Sequence, residues 1–175
     1  MRTRVTAAAL SGLLVLALAG CTTPGPAEPT PTSGFSSEEE AFTAAEETYR
    51  AYVDALNQVD LSDPETFEAV YGWTTGEANA NERKSLSQLH ADGWVVAGDT
   101  TVTGFHPGAV TGGIVDAVVC SDVSDVQVTD ATGQSVVPDN RPSQYALQVT
   151  FVESSTPTGL SVRTSDAVED PRCNS

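Results

Sequence analysis

Positive charge is scarce in this sequence. Eight Lys and Arg residues face 24 Asp and Glu, a formal net charge of −16 over 175 residues. So acidic a chain repels phosphate backbones and anionic lipid headgroups, which argues against nucleic-acid binding. The ordinary meaning of such a charge is solubility. The sharper one is attraction for a cationic partner or for divalent cations near a cell wall. Imidazoles and thiols are also few: two His (His90 and His106) and three Cys. Two separated histidines make a poor metal site, and neither a metal nor a cofactor is expected. No Gly-x-Ser-x-Gly is present to mark a serine nucleophile. Asp122, Asp125 and Asp130 lack the fixed offsets and terminal Glu of a calcium loop. Gly104, Gly108, Gly112 and Gly113 form no phosphate-cradling pattern. No catalytic or metal-binding constellation therefore stands out.

What is present begins with a leader. Arg2 and Arg4 form a positive start, and Val5 to Leu18 an apolar stretch rich in Ala and Leu. It falls short of the about 20 apolar residues a membrane span needs. Leu18-Ala19-Gly20-Cys21 matches the lipobox of bacterial lipoproteins. The expectation is cleavage before Cys21 and diacylglycerol on its thiol, whose two acyl chains suffice for stable anchoring. This implies a lipid-anchored chain on the extracytoplasmic face of the cell membrane. Removing Arg2 and Arg4 leaves 8 − 2 = 6 basic residues against 24 acidic ones, a net charge of −18.

Residues 21–35 read as a stalk. Pro, Thr, Gly and Ser dominate Thr22 to Gly34, too polar to fold and biased toward extended backbone. Residues 36–175 are a comfortable size for one domain.

The first half of that domain has helical periodicity. Ser37 and Glu40 form a capping box, and three carboxylates in the first turn suit the helix dipole. Phe42, Ala45, Tyr49, Tyr52, Val53 and Leu56 recur at spacings of three and four to about Gln58. Asp63-Pro64 starts a second helix bearing Phe67, Val70 and Tyr71, which Gly72 ends. Thr74 and Glu77 offer another capping box, before a helix that turns Ala78, Leu86 and Leu89 inward and stops at Gly93. Its middle, Asn79 to Lys84, is polar.

The second half is rich in Val and Thr. Trp94–Phe105, Gly113–Cys120, Asp125–Asp130, Gln144–Glu153 and Leu160–Ser165 read as strands, with turns at Gly112-Gly113, Asp130–Gly133 and Pro157–Gly159. Tyr145, Leu147, Val149 and Phe151 alternate with a mixed set, as in an antiparallel sheet with one wet side. Helices followed by strands argue for an α+β fold: three N-terminal helices packed on a curved antiparallel sheet of four to six strands. With Cys21 assigned to lipid, Cys120 and Cys173 remain as a pair. A disulfide between them would, in the chain-entropy model, stabilise by roughly 4 kcal/mol. A free buried Cys120 and an intermolecular bridge through Cys173 are the alternatives.

Three helices followed by a curved sheet resembles the NTF2-like (cystatin-like) α+β cone. The lipobox and the cysteine placement resemble small lipoproteins of high-GC Gram-positive bacteria, many of which pair a middle-strand cysteine with one just after the last strand. Such a resemblance implies a pocket between helices and sheet, and members that dimerise through the open sheet face. It leaves function open, since the superfamily includes isomerases, dehydratases, ligand binders and scaffolds. The reading favoured by the stalk, the charge and the missing chemistry is a non-catalytic binding or scaffolding module. Its partner would be an envelope protein, a cell-wall component or a small apolar ligand. The alternative is a cone enzyme of isomerase, dehydratase or hydrolase type, using a carboxylate or histidine.

For that alternative Asp116 and His106 are the candidates. Asp116 interrupts the apolar run Ile114–Val119 and would have a raised pKa if it pointed inward; the outward, solvated reading is preferred. His106 precedes Pro107 in an expected turn, where a surface role is the simpler reading. Tyr49, Tyr52, Trp73, Trp94 and Tyr145 are candidates for a pocket wall, although the helical aromatics also fit a plain core.

Overall fold

The computed structural model describes residues 34–173. The leader, Cys21 and the stalk as far as Ser33 lie outside the described residues. Three helices come first: α1 (Glu38–Asn57), α2 (Phe67–Gly72, entered through a 3-10 turn at Pro64–Thr66) and α3 (Gly76–Ala91). Six strands follow: β1 (Val95–Ala97), β2 (Thr101–Thr111), β3 (Ile114–Asp122), β4 (Gln127–Thr129), β5 (Gln144–Glu153) and β6 (Leu160–Val168). The main sheet is antiparallel in the order β2-β3-β5-β6, and β1 and β4 form a separate two-stranded sheet. No helix among the described residues is long and apolar enough to cross a membrane.

Helix α1 starts where its caps dictate. Ser37 Oγ accepts the Glu40 amide at 3.1 Å. The Glu40 carboxylate reaches back to the Ser36 amide at 2.8 Å, one residue beyond the box read from the sequence. Those bonds from Ser36 hold the Glu40 carboxyl below its ordinary range. The buried stripe of α1 includes Ala41, Ala45, Tyr49, Tyr52 and Val53. The two alanines are fully buried, and their small side chains let the helix approach the sheet closely. Opposite lie Val115, Ala117 and Val119 of β3, Val149 and Phe151 of β5, and Leu160 and Val162 of β6. Tyr49 meets Phe151 edge-on, centroids 6.4 Å apart. Each buried Val, Leu or Phe side chain here contributes about 1.5–3 kcal/mol, so this layer supplies most of the core. The Gly112-Gly113 turn between β2 and β3 has φ +57° and +85°, the backbone that glycines adopt at no steric cost in a two-residue hairpin.

Several expected boundaries move. The strand read over Trp94–Phe105 is two strands on different sheets, broken at Gly98–Thr100. Gly98 has φ +81°, and a Cβ there would run into the Asp125 carbonyl, so a close backbone crossing forces the break. Asp125–Asp130 shortens to β4. His106 and Pro107, read as a turn, lie within β2. An edge strand tolerates proline because one of its sides is unpaired, and the register shifts between Pro107 and Val110. The Thr74/Glu77 capping box does not form. Instead the Thr75 amide bonds the Val162 carbonyl at 2.8 Å and the Val162 amide bonds the Trp73 carbonyl at 2.9 Å. The link between α2 and α3 thereby pairs with the free edge of β6, and α3 begins at Gly76 with no side-chain cap bond.

The outer face of the main sheet carries the disulfide. Cys120 on β3 is bonded to Cys173, their Cα atoms 5.1 Å apart, and both are buried. Cys173 ends a 3-10 turn (Pro171–Cys173), which the bridge ties to the sheet. The Asp170 carboxylate accepts from the Arg172 amide and guanidinium, at 2.9 Å for the amide and for Nε, and these bonds hold its carboxyl far below the ordinary range.

Candidate functional site

A hollow of about 390 Å³ opens between α1, α3 and the small sheet. The C-terminal end of α1 and the segment after it supply Leu56 and Val59. Helix α3 supplies Leu86 and Leu89, and the small sheet with its approach supplies Val126 and Val128. The Gly98–Thr100 break forms part of the rim. The size falls in the range of small-molecule pockets, and the largely apolar lining is of the kind they use.

One charged group is set into this wall. Glu82 lies on the inward stripe of α3, with Ala78 four residues before it and Leu86 four after. Its Oε1 accepts the Tyr52 hydroxyl at 2.6 Å. Burial pushes the Glu82 carboxyl above its ordinary value of 4.5, against the bond from Tyr52 that lowers it. Tyr52 is raised well above the phenol range by burial first and by the Glu82 charge next. Behind it, burial pushes Tyr49 up to about 12. Both tyrosines therefore stay neutral donors, and Glu82 is the acceptor facing the hollow. Of the other polar linings, Asn57 is closed on itself with Thr100: its Nδ2 donates to the Thr100 carbonyl and its Oδ1 accepts the Thr100 amide, each at 2.9 Å. Asp99 is the second carboxylate at the rim, and no Arg, Lys or His among the described residues lines the hollow.

A shallower depression adjoins it across Val59, Leu61 and Val96. Trp94, His90 and the exposed Val95 line it. The His90 ring Nδ1 and the Leu61 carbonyl are 2.6 Å apart, so His90 ties α3 to the chain before α2.

The sequence-derived candidates scatter. Tyr49 and Tyr52 are core residues, and only Tyr52 reaches the hollow, through Glu82. Trp94 lines the shallow depression, while Trp73 and Tyr145 line neither space. Asp116 shares the outer face of β3 with Val118 and Cys120, is half-buried, and accepts from Thr150 Oγ1 at 2.7 Å. The inward option for Asp116 is thus excluded. His106 pairs with Val118 on that same outer face. Its ring and the two cysteine sulfurs lie within 4.8 Å of one another, but the disulfide engages both sulfurs. Neither Asp116 nor His106 enters the cone.

Glu82 escaped the sequence reading because Asn79 to Lys84 looks like a solvated face. The available signal was its phase: Ala78, Glu82, Leu86 and Leu89 form one stripe.

No family model matches the chain, and no curated protein matches it. Solved structures do. A candidate aromatic ring hydroxylase from Novosphingobium aromaticivorans aligns at 15% identity, covering 75% of this chain and 92% of that one, with a TM-score of 0.50. The intermembrane-space region of the chloroplast protein ARC6 aligns at 14% identity, covering 73% and 96%, with a TM-score of 0.51. A candidate dehydratase of the NTF2-like family from Streptomyces avermitilis aligns at 14% identity over 77% and 100%, with a TM-score of 0.44. At these identities the likeness is one of fold. The chain has the expected α+β architecture, three helices packed on a four-stranded antiparallel sheet with a small second sheet.

Proposed function

We propose that this chain is an extracytoplasmic, lipid-anchored binding module whose cone mouth holds a small ligand. The observation that carries the binding reading is the hollow between α1, α3 and the small sheet, apolar on its walls and fitted with a single half-buried carboxylate. A domain selected only for stability would close such a space with side chains, because an unfilled apolar volume forfeits contacts. The anchoring half rests on the lipobox at Leu18–Cys21 and on the stalk that would lift the domain from the membrane.

Glu82 also supports a second reading, an enzyme in which it moves a proton. A carboxylate with a raised pKa beside a neutral tyrosine is a serviceable acid or base. Among the described residues no histidine lines the hollow, and the Asn57 amide there is spent on Thr100, so binding is preferred.

Both parts of the proposal meet in one experiment. The chain with Cys21→Ser, expressed in its own host, should leave the membrane fraction and appear in the medium. Native mass spectrometry of that soluble form should find a retained mass, and adding Ser85→Trp, which fills the rim from an exposed position, should remove it. Retention in the membrane fraction would overturn the anchor. An unliganded domain, or a retained mass indifferent to Ser85→Trp, would overturn the pocket.

A further inference from the structure

The charge pattern inside the hollow narrows what it can hold. Its two ionisable linings, Glu82 and Asp99, are both carboxylates. Asn57 is spent on Thr100. Glu82 gives one oxygen to Tyr52, and no protein donor among the described residues bonds the other. The polar capacity left over is therefore mainly that of an acceptor, and it is negative. A carboxylate ligand would be repelled there. A neutral alcohol would fill the apolar volume but leave the half-buried charge uncompensated, which is costly away from water. A protonated amine satisfies both demands at once, since a charge-assisted bond between ammonium and carboxylate is among the stronger polar contacts. The field of a chain carrying −16 also concentrates cations at its surface.

Resting on the binding reading above, we infer that the cone mouth takes an amphiphilic amine: an apolar body of small-molecule size seated among Leu56, Leu86, Leu89 and Val128, with one protonated nitrogen at the Glu82 carboxylate. Tyr52 acts as a positioning residue. Its hydroxyl fixes one Glu82 oxygen and leaves the other directed to the ligand.

Three probes of one shape separate the terms: cyclohexylmethylamine, cyclohexylmethanol and cyclohexanecarboxylate, titrated calorimetrically near neutral pH. The amine should bind about tenfold or more tightly than the alcohol, the ratio expected of a hydrogen bond to a charged group, and the carboxylate should not bind. Glu82→Gln keeps an acceptor for Tyr52; in that variant, confirmed folded by its melting curve, the amine should fall to the level of the alcohol while the alcohol is unchanged. Equal affinity of amine and alcohol, or an amine affinity that survives Glu82→Gln, would overturn the amine assignment and leave the pocket standing. Failure of all three probes would overturn the assignment and the pocket together.

Discussion

The two ends of the sheet solve opposite problems. At the outer face the polypeptide is closed down: Cys120 and Cys173 are buried and joined, a short turn is tied to the strands, and Asp170 grips Arg172. At the cone mouth the chain stops short of closure. The strand that would continue the main sheet breaks at Gly98, a small second sheet diverges, and an apolar space holding Glu82 is left between them. One side is tied shut by a covalent bond, and on the proposed reading the other is left open for recognition. A lean acidic domain needs the first to tolerate the second, because a half-buried carboxylate works against folding.

The largest effect should come from opening the sealed side. Replacing both cysteines (Cys120→Ser with Cys173→Ser) removes a tether across 53 residues and should lower stability by roughly 4 kcal/mol in the chain-entropy model. Urea unfolding would measure it. A loss below about 1 kcal/mol would mean that the tail holds without the bond and that the contrast is misplaced.

A smaller effect of opposite character is expected at the mouth. The folded Glu82 carboxyl has a pKa above its ordinary 4.5, because burial disfavours its charge. The folded state therefore binds the proton more tightly than the unfolded chain does. The stabilisation from this group is fully present below the unfolded pKa and is lost as pH rises through the folded one. Glu82→Gln should flatten that part of the stability profile and leave the domain at least as stable near neutral pH. Paired urea midpoints across the acidic to neutral range would show it, and a variant clearly weaker than the parent at neutrality would make Glu82 a structural residue instead.

The contrast also explains what could be read beforehand. Helix α1 was legible because its apolar spacing and its Ser37 cap are local properties of the chain. The pairing of Cys120 with Cys173 followed from the cysteine count once Cys21 was set aside. What escaped depended on partners distant in sequence. The break at Gly98 is imposed by Asp125 on a neighbouring turn. Pro107 sits in a strand because that strand has an unpaired edge, and the start of α3 is set by Val162 capturing the backbone around Thr75. The facing of Asp116 hung on strand phase alone, which a register of one residue inverts. Glu82 became a site residue only when Tyr52 and the small sheet enclosed it.

The most direct test locates the ligand rather than weighing it. Backbone amide spectra of the domain titrated with cyclohexylmethylamine should shift along the C-terminal end of α1, the middle of α3 and the small sheet, around Leu56, Glu82 and Val128. Shifts confined to the outer sheet face near His106 and Asp116, or none at the cone mouth at saturating amine, would contradict the assignment of this hollow as the binding site.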